Sequence, residues 1–162
     1  QSKIELDSGA EIHNIFINSK PIKNENDISI LQYGENLDIE FDVVIKDLNV
    51  NEFYVQLQII DKDLKLAAMH FTNLMNEAFI TQTFNKIKIS FPSLQLTDAE
   101  YSISLFVAEH TPKNASNINE NNILCIYRNY IRFKMTGLNS ALYAPFHLKA
   151  DIFQNNTIIE KL

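Results

Sequence analysis

The stretch Asn36 to Lys46, NLDIEFDVVIK, is the strongest constraint in the chain. Leu37, Ile39, Phe41, Val43 and Ile45 fall on one side of an alternating pattern. Asn36, Asp38, Glu40, Asp42 and Lys46 fall on the other, with Val44 the exception. A helix would scatter these side chains around its axis, whereas a strand sorts them onto two faces. Burying each inward side chain contributes roughly 1.5–3 kcal/mol before chain entropy is subtracted. A register slip of one residue would bury the acidic set, so the register is tightly specified.

The same grammar recurs along the chain. Phe53, Val55, Leu57 and Ile59 alternate with Tyr54, Gln56, Gln58 and Ile60. Leu94 and Leu96 lead into the polar turn Thr97-Asp98-Ala99-Glu100, after which Tyr101, Ile103, Leu105 and Val107 alternate with Ser102, Ser104 and Phe106. The spacing Leu-x-Leu-x-x-x-x-Tyr resembles the corner of an immunoglobulin-like sandwich, where a Tyr hydroxyl ties back to the backbone upstream. An ordinary half-buried strand that begins with Tyr is the other reading. Within Ile123 to Lys134, Tyr127, Asn129, Ile131 and Phe133 share one face and Arg128, Tyr130, Arg132 and Lys134 the other. Further strands are expected at Glu11–Asn18, with a bulge where alternation breaks, and at Ile28–Leu31, Lys65–Phe71 and Asn85–Phe91. Asp61–Leu64 reads as a hairpin turn, Thr72–Phe79 as an irregular piece with a helical turn, and Thr111–Asn122 as a loop. Leu142–Phe153 is a last extended segment after the break at Gly137. Seven to nine short strands with regular turns imply an all-β, immunoglobulin-like antiparallel β-sandwich. At 162 residues this is one domain, over 11–162, with 1–10 as the end of a linker. The first residue is Gln, which reads as a piece of a longer or processed protein.

Composition narrows the functions. A net charge of -6 speaks against a cationic nucleic-acid surface, so no nucleic-acid partner is expected. The single cysteine, Cys125, cannot make an internal disulfide or a Cys-based zinc site and reads as a small buried hydrophobe. No apolar run is long enough to span a membrane, and no signal-peptide pattern opens the chain. With three glycines, Gly9, Gly34 and Gly137, neither a P-loop nor a GxGxxG cradle can be built, and turns must rely on Asn and Asp. His13, His70, His110 and His147 are scattered, so no metal or other cofactor is expected. The acidic pairs Asp61/Asp63 and Asp98/Glu100 lie in turns, where Asp serves turn chemistry, and nothing forces a glycosidase dyad together. Catalytic residues are therefore expected to be none. The Asn-x-Ser/Thr matches at Asn114 and Asn155 indicate polar loops.

The informative surface is the outward face of three strands expected to be neighbours. It combines Tyr54, Gln56 and Gln58 with Ser102, Ser104 and Phe106, and with Arg128, Tyr130 and Arg132. The candidate contacts are Tyr54, Gln56, Gln58, Phe106, Arg128, Tyr130 and Arg132. Aromatic rings stack on the apolar faces of sugars, while amides and guanidinium forks meet hydroxyl groups. The alternative is a merely solvated sheet.

These residues, taken in order, resemble the C-terminal carbohydrate-binding domain of Wzt-type proteins, the nucleotide-binding subunits of bacterial ABC transporters that export O-antigen polysaccharide. The matching pieces are Ser8-Gly9-Ala10-Glu11-Ile12, Tyr33-Gly34-Glu35-Asn36-Leu37-Asp38-Ile39 and Val55-Gln56-Leu57-Gln58-Ile59-Ile60-Asp61. Phe91-Pro92-Ser93-Leu94-Gln95-Leu96, Tyr101-Ser102-Ile103-Ser104-Leu105, Ile131-Arg132-Phe133 and Ala144-Pro145-Phe146-His147-Leu148 follow. Two turns depart from the pattern: Leu64 and Ala99-Glu100 stand where Gly is usual. The resemblance implies a β-sandwich without catalysis of its own, binding the finished O-antigen polysaccharide. It implies a homodimer in which the strand at 143–153 is exchanged, and a link through the full-length protein to the transporter's membrane subunit. Its place would be the cytoplasmic side of the inner membrane. A dimerisation module without sugar affinity is the competing expectation, and a small β-sandwich glycosidase the third.

Overall fold

The computed structural model describes residues 2–74, 77–111, 122–139 and 144–160. Thirteen strands form among them. They are β1 Lys3–Leu6, β2 Ala10–Ile17, β3 Lys20–Pro21, β4 Ile28–Gln32, β5 Leu37–Ile45, β6 Glu52–Asp61 and β7 Leu66–Phe71. β8 Phe79–Ile80, β9 Asn85–Phe91, β10 Glu100–Glu109, β11 Ile123–Thr136, β12 Ile152–Gln154 and β13 Thr157–Glu160 complete the set. The expected loop at 112–121, with Asn114, lies outside the described residues. Residues 72–74 form a turn, and residues 75 and 76 of the expected irregular piece lie outside the described residues.

Two sheets face each other. The larger runs β1-β11-β10-β6-β7, with β4 also on β11 and β8 also on β6; the smaller runs β3-β2-β5-β9. All pairs are antiparallel except β4 with β11, where Ile28 lies beside Arg132. The alternating residues meet between the sheets. Leu37, Ile39, Phe41 and Val43 of β5 are buried against Phe53, Val55, Leu57 and Ile59 of β6 and Ile103, Leu105 and Val107 of β10. The protein is an immunoglobulin-like β-sandwich. Cys125 lies inside it, and burial pushes its thiol pKa up to about 12.

The corner is present. The Tyr101 hydroxyl donates to the carbonyl of Thr97 at 3.0 Å, and its ring stacks on Phe133. A second tyrosine ties the sheets together: the Ile12 N–H of β2 donates to the Tyr127 hydroxyl of β11 at 3.0 Å. The lead is extended, as β1, and pairs with β11. Gly9 marks the passage from one sheet to the other. Its N–H reaches Leu124 O, its carbonyl accepts from Lys46, and a Cβ there would stand 2.9 Å from the Leu124 side chain.

Asparagine does the work of the scarce glycines. Among the described residues, nine non-glycine positions have positive φ, and Asn14, Asn18, Asn129, Asn139, Asn155 and Asn156 hold six of them. Asn tolerates the left-handed region better than most residues. Asn14 sits where the β2 register shifts, between His13 and Phe16. At the other end of the chain, residues 144–149 dock on their own sandwich. Thr97 N–H donates to Pro145 O at 2.8 Å and His147 N–H to Gln95 O at 3.1 Å. Among the described residues β12 and β13 pair only with each other, with Ile152, Phe153 and Ile158 exposed.

Candidate functional site

The three strands expected to be neighbours are so: β6, β10 and β11 lie side by side. Gln56 stands opposite Phe106 and Gln58 opposite Ser104, so the outward residues of β6 and β10 are assembled as the alternation requires. The face divides into three parts, and most of the expected contacts are not at its surface.

At one end, Tyr54 and Gln56 are buried rather than exposed. Phe71 at the end of β7 and His110 just past β10 close over Tyr54. The Tyr54 ring packs against Phe71, with ring centres 6.4 Å apart, and edge-on to His110 at 6.2 Å. His110 in turn meets the Asn73 amide at 3.1 Å. Burial raises the Tyr54 hydroxyl pKa, opposed by the Asn122 side chain. This corrects the expectation of an open aromatic platform, because alternation assigns a face but cannot report what later folds onto it.

In the middle, Phe106 is also buried, beneath the Arg128 guanidinium, whose carbon lies 5.6 Å from the ring centre. Arg128 Nε meets Glu5 of β1 at 2.8 Å, and Lys3 meets the same carboxylate at 2.8 Å. Arg128 and then Lys3 hold the Glu5 carboxyl at about 2, well below its ordinary value. The charge of Arg128 is thus engaged by the lead segment. Gln58 is half-buried beside Ser104.

Tyr130 is the second correction. Leu105 pairs with Tyr127 and Ile103 with Ile131, so residues 128–130 stand opposite Ser104 alone. Asn129 takes φ 49° in this bulge. The extra residues reverse the alternation locally. Tyr130 packs on the core side, edge-on to Tyr127 with ring centres 5.1 Å apart. Asn129, assigned inward by simple alternation, meets the outward serines instead: its Oδ1 accepts from Ser102 Oγ at 3.2 Å and from Ser104 Oγ at 3.3 Å.

The third part is a recess of about 400 Å³. Ser102, Asn129 and Arg132 form its floor on β10 and β11; Asp61, Lys62 and Leu64 of the β6–β7 turn, Glu100, Glu25 and Asn26 enclose it. Its size is at the lower end of ligand pockets in general. Of the seven expected contacts, Arg132 alone lines it. Arg132 Nη2 lies 3.7 Å from Glu100 Oε2. Asp61 Oδ1 accepts from the N–H groups of Asp63 and Lys65, both at 2.9 Å, which is the turn role its position predicts. Asp98 likewise takes the Leu138 and Asn139 N–H groups, both at 3.1 Å. The recess offers hydroxyl, amide, guanidinium, ammonium and carboxylate groups together, a set that both donates to and accepts from a polyhydroxylated ligand. The available signal for Asn129 was an asparagine inside a strand of β-branched and aromatic residues, a sequence sign of a bulge. The tertiary return of residues 25 and 26 left no such signal.

No family model matches the chain, and no curated protein does. Several solved structures are similar. One is the CARDB domain of the PF1109 protein from Pyrococcus furiosus, in complex with di-metal ions, at 10% identity over 81% of this chain and 92% of that one, with a TM-score of 0.40. A β-glucuronidase from glycoside hydrolase family 2 matches at 13% identity over 78% of this chain and 11% of that one, with a TM-score of 0.35. A β-glucosidase from Listeria innocua, in complex with isofagomine, matches at 10% over 84% of this chain and 16% of that one, with a TM-score of 0.37. Likenesses at this level carry no argument about function.

Proposed function

We propose that this domain binds polysaccharide without transforming it, as the carbohydrate-binding domain of an O-antigen ABC exporter. The observation that carries the reading is the polar recess on the outward face, where Ser102, Asn129 and Arg132 are held by neighbouring central strands. A rigid sheet positions such groups better than a loop does. The recess is half-open on the outward face of the sheet, so one stretch of a long polymer can enter it from the side. The ordered resemblance along the chain supplies the rest of the reading: a cytoplasmic site at the inner membrane, and attachment to the transporter through the full-length protein.

The test is a titration of purified domain with O-polysaccharide from the source strain, followed by Arg132→Ala. We expect saturable binding that weakens by about tenfold or more in the variant, the loss of one charge-assisted hydrogen bond. No binding by the parent domain sinks the function. Equal binding by a folded variant sinks this location. Analysis of polymer length after incubation gives the catalytic answer, and shortened chains would replace binding by hydrolysis.

A second reading, a dimerisation module, is favoured by one feature. The β12–β13 hairpin exposes Ile152, Phe153 and Ile158 away from both sheets. Exchange of this end of the chain between copies would cover them. Sedimentation of the whole domain, with and without residues 150–162, distinguishes an exchanged dimer from a monomer.

A further inference from the structure

We infer that the recess selects an uncharged sugar, and that the Asn129 side-chain amide is the donor that fixes it. This rests on the glycan-binding reading above and adds the substrate class. Asn129 stands at the left-handed position of the β11 bulge and lines the recess. Its backbone N–H donates to Ser104 Oγ at 2.8 Å. That hydroxyl in turn donates to Asn129 Oδ1 at 3.3 Å. Ser102 Oγ donates to the same oxygen. With both hydroxyls on Oδ1, the two Nδ2 hydrogens are left without an acceptor among the described residues. Ser104 is fully buried, which anchors the inner end of this clamp. A fixed amide with two hydrogens to give reads an oxygen acceptor, either a sugar hydroxyl or an acylamido carbonyl.

The charges around it set the class. Glu25, Asp61 and Glu100 line the same recess against Lys62 and Arg132, and Arg132 already faces Glu100. A ligand carboxylate would therefore meet like charge at short range. Vicinal hydroxyls meet the same groups as acceptors without that cost. Repulsion of the wrong ligand is as much a source of specificity as attraction of the right one.

The experiment uses the whole chain and three soluble oligosaccharide series of equal length: neutral hexose, N-acetylhexosamine and hexuronate. Affinity is measured by calorimetry, and the Asn129 side-chain amide is followed by nitrogen-15 NMR. We expect an uncharged series to bind about tenfold or more tightly than the hexuronate, with the Nδ2 signals shifting on titration. Asn129→Asp keeps an acceptor for both serines and suits the left-handed backbone, yet removes the donor. It should lose about tenfold or more in affinity at an unchanged melting temperature. Hexuronate as the tightest ligand overturns the inference. So does full affinity in the variant, or a wild-type Nδ2 signal that stays still on binding, an arm that serves even where the variant unfolds. Absence of binding to every series overturns the parent reading and this one together. Binding that bypasses Asn129 overturns this one alone.

Discussion

Leu64 occupies a conformation that suits glycine. It sits in the β6–β7 turn at φ 61° with its side chain largely exposed. The left-handed region costs an L-residue roughly 1–2 kcal/mol, while glycine loses about 0.5–1 kcal/mol more chain entropy. Leu64→Gly is therefore expected to stabilise the fold by up to about 1 kcal/mol, a rise of about 2–4 °C in melting temperature. Calorimetry checks the sign, and a fall would mean that the side chain packs usefully. Cys125 gives a second residue-scale expectation. A buried thiol held near 12 presents almost no thiolate at neutral pH, so a thiol reagent should label it only upon unfolding. Rapid labelling of the native protein would contradict that burial.

At the scale of elements, β1 is tied to β11 by charge as well as by its ladder. Folding depresses the Glu5 carboxyl from 4.5 to about 2, chiefly through Arg128 and then Lys3. A carboxyl depressed in this way stabilises the native state above its ordinary value and loses that contribution as pH falls toward the depressed one. The pair is substantially exposed, so its worth is under about 1 kcal/mol. The difference in stability between the parent and Glu5→Gln should be present at pH 6 and fade between about 4.5 and 2, as read from denaturant midpoints. A difference that is constant across that window rejects the pair. The bulge in β11 shows why the face was only partly legible. Strict alternation carried Tyr127, Ile131 and Phe133 to the core correctly, but residues 128–130 spend more backbone than the partner strand offers. Asn129 and Tyr130 exchange sides for that reason. Tyr54 and Gln56 lie on the assigned side and are lost to the surface by burial, Tyr54 beneath Phe71 and His110.

For the molecule as a whole, the alternating strands made the sandwich readable, and the Leu-x-Leu-x-x-x-x-Tyr spacing located its corner. The recess was not readable, since residues 25 and 26, the turn at 61–64 and the bulge meet only after folding. Its Arg132 and Ser102 were visible as outward residues; Asp61 and Glu100 were read as turn chemistry, which Asp61 does perform. Coupling between the sheets is carried by packing and by the Ile12 to Tyr127 bond. Tyr127→Phe leaves that buried N–H unsatisfied, at a cost of about 1–3 kcal/mol. Unfolding should stay a single transition at a lower midpoint, observed alike by fluorescence and circular dichroism; two separated transitions would mean that the sheets melt independently. The position of β1 has a consequence for synthesis. Lys3 lies opposite Arg128, so β1, the first of these thirteen strands to be made, waits for β11 before it gains its neighbour. Closure of the larger sheet thus comes late in the making of these strands, and a stalled chain ending before β11 would present the unpaired edge of β10 to chaperones.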